Sequence, residues 1–389
     1  MSRRTLALAV SAVLVFTTVG PAFADQPPVP PGYRPPADSD EAGLWMQSDE
    51  AERRIQTLPQ LVRDEALNAY VKGLVCKLAG DYCRDIRVYI LDVPMFNASM
   101  APNGMLILYT GTLLRCDNEA QLAFVLAHEI AHFKKRHALD QWRNAINTSG
   151  AIAVLAVVSA GAGVFGLIGL MAELGAAAGF VSYSRDQERE ADAAGFDIAT
   201  AQGYDPHEAA ALWTDLSAED AADPAVRNRS TFLSSHPQSK ERMQTMLAKA
   251  DVLASTAKDW KTDPDDLNHA TEPYRAQWYA EVMEFENSNA LLTVLNRKIA
   301  RAPHSGELQY FLAEAYRRRN EGGDIEKSRQ AYQTAIDDGN GPVAAYKGLG
   351  IVAMKAGDKT AARSAFDQYL ALSPQANDRA MIEYYCSRL

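Results

Sequence analysis

Residues 128–132 read His-Glu-Ile-Ala-His, the stretch of this chain with the most evident chemistry. On an α-helix, positions i and i+4 lie on one face, so the imidazoles of His128 and His132 can reach the same metal ion. Glu129 points to the metal side without being a ligand. It can take a proton from a water that the metal activates. Two histidines leave such a site incomplete, because a catalytic zinc takes three protein ligands and keeps one position open. The candidate third ligand lies in SRDQEREADAAG, where Glu188 and Asp192 are one helical turn apart. Glu188 as ligand gives a two-histidine, one-glutamate zinc site. Asp192 can accept a hydrogen bond from a ligand imidazole and fix its tautomer. Taken alone, RDQERE reads as a solvated, charged helix face.

The elements that must position these residues are also legible. The HExxH sequence sits inside QLAFVLAHEIAHF, which is apolar almost all round and predicts a buried helix. Asp117-Asn118-Glu119 supplies its start, with a polar cap and acidic residues in the first turn. The helix is expected to run to about Asp140. Upstream, IRVYILDVP from Ile86 to Pro94 is rich in β-branched and aromatic residues and predicts a strand stopped by proline. Asn103-Gly104 is a turn signal, and MLILYTG after it predicts a second strand in the same small sheet. The segment Asn97 to Ile107 is the expected exposed edge, where an extended peptide could add as a strand. From Glu41 to about Ala79 the residues favour helix. Leu67, Val71, Leu74 and Leu78 would share one buried face.

A chain of 389 residues predicts two domains. Its net charge of −10 argues against nucleic acid as the main partner. Residues 1–24 read as a signal peptide: Arg3 and Arg4, an apolar run from Leu6 to Val19, then Ala22-Phe23-Ala24 as a cleavage site. The other reading is an uncleaved membrane anchor, although the run is short for a span. Residues 25–42 are proline-rich and read as an extended, exposed leader. Four cysteines remain after cleavage, Cys76, Cys83, Cys116 and Cys386. An even count in an oxidising compartment suggests two disulfides. The short loop favours Cys76 with Cys83, which leaves Cys116 with Cys386; free buried thiols are the alternative.

Residues 149–181 carry one charge, Glu173, and seven glycines. Ordinary burial, peripheral membrane contact and a true span all remain open for this stretch. TDPDDLNHATEP then reads as a polar linker. Residues 270–389 show helical-hairpin repeats. Tyr346, Leu349, Gly350, Ala362, Phe366 and Pro374 sit at the spacings of a tetratricopeptide repeat. Leu312, Ala313, Tyr316, Ser328 and Tyr332 give a second copy, and residues 274–303 a weaker third. Such repeats stack into a solenoid that binds peptides or partner proteins. His137, His207, His269 and His304 have no motif around them and read as surface residues.

AHEIAH, SRDQEREAD, SSHPQSKER and NASMAPNGMLILYTGTLL together resemble the M48 family of zinc metallopeptidases, over about residues 45–250. The resemblance implies a mostly α (α+β) fold: a zincin-type domain over residues 43–262 with a small β-sheet beside the HExxH helix, then the α-solenoid. It implies one Zn2+ per chain at His128, His132 and Glu188, with Glu129 as general base. His236, in Ser235-His236-Pro237, matches the family's histidine-proline segment. It would either stabilise the tetrahedral oxyanion or fill the open zinc position and hold the enzyme latent. Arg242 is a candidate anchor for that segment.

With a signal peptide and repeats, the chain resembles the branch of the family that works on outer-membrane β-barrel assembly in the Gram-negative periplasm. The expected partners are unfolded or misassembled proteins and, through the repeats, the outer-membrane assembly machinery. The expected function is an exported endopeptidase of protein quality control. The alternative is an assembly scaffold with a latched peptidase site.

Overall fold

The computed structural model describes residues 28–144, 183–222, 236, 240–256, 259–285 and 288–389. Two long helices come first. α1 (Asp40–Ile55) is capped by Ser39, whose side chain accepts from the Ala42 N–H. α2 (Glu65–Ala79) is capped by Asp64 and buries Leu67, Val71, Leu74 and Leu78, the face expected from their spacing. A disulfide joins Cys76 to Cys83 across the short 3-10 turn Gly80–Arg84.

Three strands follow: β1 (Arg87–Leu91), β2 (Ala98–Met100) and β3 (Met105–Tyr109). Their order is β1-β3-β2, with β1 parallel and β2 antiparallel to β3. The two predicted strands therefore share a sheet, as neighbours running the same way. The expected edge, Asn97 to Ile107, needs correcting, because only Ala98–Met100 is at the edge and β3 is central. The β2–β3 connection turns at Gly104, with φ +86°, where a Cβ would meet the Asp85 carbonyl oxygen at 2.1 Å. Only glycine fits such a backbone.

α3 (Thr110–Arg115) leads into α4 (Glu119–Lys134), whose residues from Glu119 to Phe133 are all buried. The Asn118 side chain accepts from Gln121 N–H. The carbonyls of Asp263 and Thr262 take the N–H groups of Glu119 and Ala120, at 3.4 and 3.1 Å. A helix end buried this deeply needs such partners for its free N–H groups. α4 does not continue to Asp140. It stops at a turn in which Arg136 has φ +59°, and residues 137–144 are helical again. Arg136 is held there by Glu41.

The proline-rich leader is not free where it is described. Val29 is buried. Its N–H donates to Lys134 O at 3.0 Å, and its carbonyl accepts from Tyr82 OH at 2.7 Å. The last carbonyls of a helix need donors, and this segment supplies one to the end of α4.

Three more helices surround α4 or extend its shell: α5 (Arg185–Ala201), α6 (His207–Ala222) and α7 (Lys240–Ala254). α4 packs directly on α5, α6, α2 and β2. α5 opens with a capping box, Ser184 and Gln187 each bonding the other's backbone N–H.

The stretch expected to be a polar linker is helical from Pro264, as the start of α8 (Pro264–Phe285). Its Leu267 and Thr271 are buried. Then come α9 (Ser288–Arg301), α10 (Gly306–Arg319), α11 (Asp324–Asp337), α12 (Ala344–Lys355), α13 (Lys359–Leu372) and α14 (Arg379–Arg388). From α9 on, each helix packs against the next. One apolar core runs without a break from Leu67 through α4 to Val352. The C-terminal helices are thus seated on the domain that carries the HExxH sequence.

The second expected disulfide is absent. Cys116 and Cys386 are free and buried, Cys116 in the main core and Cys386 in a separate cluster with Phe366 and Ile382. Among the described residues no helix is long and apolar enough to cross a membrane. The expected signal peptide, residues 1–24, and residues 149–181 lie outside the described residues.

Candidate metal centre

α4 presents His128 and His132 one turn apart, and α5 crosses it to present Glu188 and Asp192. The crossing is close because residue 195 is glycine. A Cβ there would meet the backbone N and Cα of His128 at 2.9 and 3.0 Å. Gly195→Val should push α5 off α4 and cost on the order of 3 kcal/mol. Urea unfolding checks this, and an unchanged midpoint would show that the crossing has slack.

Ligating atoms of His128, His132, Glu188 and His236 all lie within 4.8 Å of one another, and all four residues are buried. His132 Nε2 is 3.0 Å from His128 Nε2. His236 Nδ1 is 3.3 Å from His128 Nε2 and 2.9 Å from Glu188 Oε1. Glu188 reaches both imidazoles of the HExxH pair at 3.6 Å.

Three imidazoles and a carboxylate at such separations suit zinc, which takes nitrogen and oxygen donors in a tetrahedron. Burial, with His128 and His236 alongside, pushes His132 well below its ordinary value, so it is neutral as a ligand must be. Burial alone would raise Glu188. His236, His128 and Arg242 outweigh it and hold that carboxyl below its ordinary value.

Glu129 stands beside this cluster, with His236 Nε2 at 3.4 Å. Both its carboxylate oxygens are buried and have no well-formed hydrogen bond among the described residues. Burial pushes its carboxyl above the ordinary value, against the pull of His236 and His128. A raised carboxyl suits a group that must gain and lose a proton near neutral pH. A buried carboxylate without a well-formed hydrogen bond has capacity for a further partner, and a water on an adjacent metal is a fitting one.

Asp192 lies 3.2 Å from His128 Nδ1, though off the line of a well-formed hydrogen bond. Arg242 holds Asp192 with a fork, Nε at 2.5 Å and Nη2 at 2.7 Å. Its Nη1 also reaches Glu188 Oε2 at 2.7 Å.

Sequence reasoning missed two neighbours and undervalued a third. His137 is buried, not a surface residue: its Nδ1 is 2.8 Å from His132 Nδ1. Tyr183 stacks on the His132 ring, centroids 3.9 Å apart. Arg242 ties Glu188 to Asp192; its expected anchoring of the histidine-proline segment lies outside the described residues. The signal for Arg242 was its place in SSHPQSKER. For His137 there was none, because it depends on the break at Arg136. His207 and His304 are exposed or half-exposed at their side chains.

The comparison with known families answers to this geometry. Peptidase family M48 matches residues 62–250, which contain all four converging residues. The chain carries an M48 peptidase domain. Among curated proteins, the beta-barrel assembly-enhancing protease of Escherichia coli is 30% identical over 217 residues, 52% of this chain and 44% of that protein. Its Yersinia pestis counterpart is 32% identical over 165 residues, 40% of this chain and 33% of the other. The mitochondrial metalloendopeptidase OMA1 of Schizosaccharomyces pombe is 30% identical over 190 residues, 48% and 51% of the two chains. The chain thus spans about half or less of the length of these relatives. The matched M48 domain accounts for the sheet, α4 and the helices that carry Glu188 and Arg242.

Proposed function

We propose that this chain is a zinc-dependent endopeptidase, with His128, His132 and Glu188 as metal ligands and Glu129 as general base. The observation that carries the reading is the convergence of buried donor atoms around a common point, with a buried carboxylate that makes no well-formed hydrogen bond beside them. Zinc, when bound, supplies Lewis acidity, which lowers the pKa of water to near neutrality and polarises a peptide carbonyl. Glu129 takes the water proton on its carboxylate and delivers it to the leaving nitrogen. Asp192, held by Arg242, orients the His128 ring through Nδ1. β2, at the sheet edge and packed on α4, is the strand on which an extended substrate would align.

His236 acts as a latch. Its Nδ1 lies 2.9 Å from Glu188 Oε1, among the donors and not outside them, which favours the closed-site role over that of oxyanion donor. An imidazole among the donors would keep water from a bound metal until His236 is displaced. The same contact supports a second reading, an assembly scaffold whose peptidase site is mostly shut. By likeness to the beta-barrel assembly-enhancing proteases, the clients are misassembled outer-membrane proteins. Residues 1–24 are a signal peptide that directs export to the periplasm, and the C-terminal helices are tetratricopeptide-type repeats that dock the assembly machinery.

Zinc content and casein digestion, measured on the full chain and on His236→Ala, test the proposal. One zinc per chain is expected in both. If nine-tenths of the wild type is latched, the variant should digest about tenfold faster. An inactive variant that still holds zinc would reassign His236 as an oxyanion donor. A wild type that binds no zinc would sink the metallopeptidase reading.

A further inference from the structure

His137 contributes no atom to the converging donors, yet it is only 3% exposed. A continuous helix would place it about 140° around the axis from His132. The left-handed Arg136 turns the chain back and brings the two rings together, Nδ1 to Nδ1, at 2.8 Å. The Gln187 side chain donates to the His137 carbonyl at 3.4 Å, which ties the returning segment to the start of α5.

Two ring nitrogens this close cannot both carry a proton; one donates and the other accepts. His132 turns Nε2 toward the cluster, 3.0 Å from His128 Nε2 and 3.6 Å from Glu188 Oε1. An imidazole that ligates through Nε2 keeps its proton on Nδ1. His132 is therefore the donor and His137 Nδ1 the acceptor. The proton of His137 is left on Nε2, where Glu190 Oε2 lies 3.4 Å away.

We infer that His137 is a positioning residue of the metal centre, accepting the His132 Nδ1 proton and passing the orientation on to Glu190. The inference rests on the metal-site reading above. It makes the two HExxH imidazoles equivalent in design. His128 turns its outward nitrogen to Asp192, backed by Arg242; His132 turns its own to His137, backed by Glu190. Outer partners of this kind fix the ring and raise its basicity toward the metal.

Zinc dissociation constants of the full chain, from competition with a chromogenic chelator, test it. His137→Phe keeps the bulk and removes the acceptor, and should weaken zinc 10- to 100-fold. His137→Asn, whose side-chain oxygen can stand where Nδ1 stood, should recover most of that loss. A phenylalanine variant that folds and binds zinc as tightly as wild type overturns the inference and leaves the metal site intact. A wild type without zinc overturns the site itself. Should His137→Phe not fold, long-range 1H–15N spectra of the zinc-loaded wild type decide. The His137 proton is expected on Nε2, and finding it on Nδ1 refutes the assignment.

Discussion

Glu129→Gln is expected to lose between about 10²- and 10⁴-fold in the rate of peptide hydrolysis while its zinc affinity stays close to wild type. The amide keeps the shape of the carboxylate but cannot take a proton. Nothing in the ligand set changes, since His128, His132, Glu188 and His236 are the converging donors and Glu129 stands outside them. The substitution should not unfold the protein. A carboxyl buried without well-formed hydrogen bonds is a cost to the metal-free fold, and a neutral amide removes the charge. Turnover of a quenched peptide, with zinc content and melting temperature measured alongside, separates these effects. A variant within tenfold of the parent turnover would exclude Glu129 as the base. Lost zinc would make it a ligand.

The second large effect lies far from the metal. Arg297→Ala should cost about 3 kcal/mol of unfolding free energy, the low end for breaking a buried ionic cluster. Arg297 projects from α9 into the junction before α4. It reaches Asp117 at 3.0 Å, Glu219 at 2.8 Å and the Arg115 carbonyl at 2.9 Å. The Asp117 side chain is 1% exposed, so losing the guanidinium leaves a buried charge short of a partner. Lys298 and Arg301, at 3.2 and 3.1 Å from Asp117, soften the loss, which is why the low end applies.

The pH dependence has a definite sign. Burial would raise the Asp117 carboxyl, but Lys298, Arg297 and Arg301 outweigh it and hold it below its ordinary value. A depressed carboxyl contributes stability that is full above its unfolded value, near 3.9, and is lost as pH falls through the folded one. Arg297→Ala weakens that depression, so acid unfolding should begin at a higher pH than in the parent. Urea melts at neutral pH and an acid titration by circular dichroism check both parts. A change under 1 kcal/mol with the same acid midpoint would mean that Lys298 and Arg301 suffice.

Together these expectations join the two halves of the chain. α9 grips the residues just before α4, and the carbonyls of Thr262 and Asp263 close the first N–H groups of α4. The C-terminal helices therefore help hold the helix that carries the HExxH residues.

The chain's own sequence determined the local elements and most of the residues that converge at the candidate site. Periodicity marked the buried face of α2, composition marked β1 and β3, and Asn118 marked the start of α4. These depend on neighbours within a turn or two, so they can be read along the chain. The i, i+4 histidines and Glu188 with Asp192 were legible for the same reason.

Tertiary packing decided what depends on chain reversal and on contacts between distant segments. The break at Arg136 turns His137 from a surface position into a neighbour of His132, because one left-handed residue redirects everything after it. The leader at Val29 is pinned by a helix end that needed a donor. The stretch that reads as a linker becomes a cap, since its carbonyls meet N–H groups far off in sequence. Cys116 and Cys386 stay free because the fold places them in separate cores, and spacing carries no record of that.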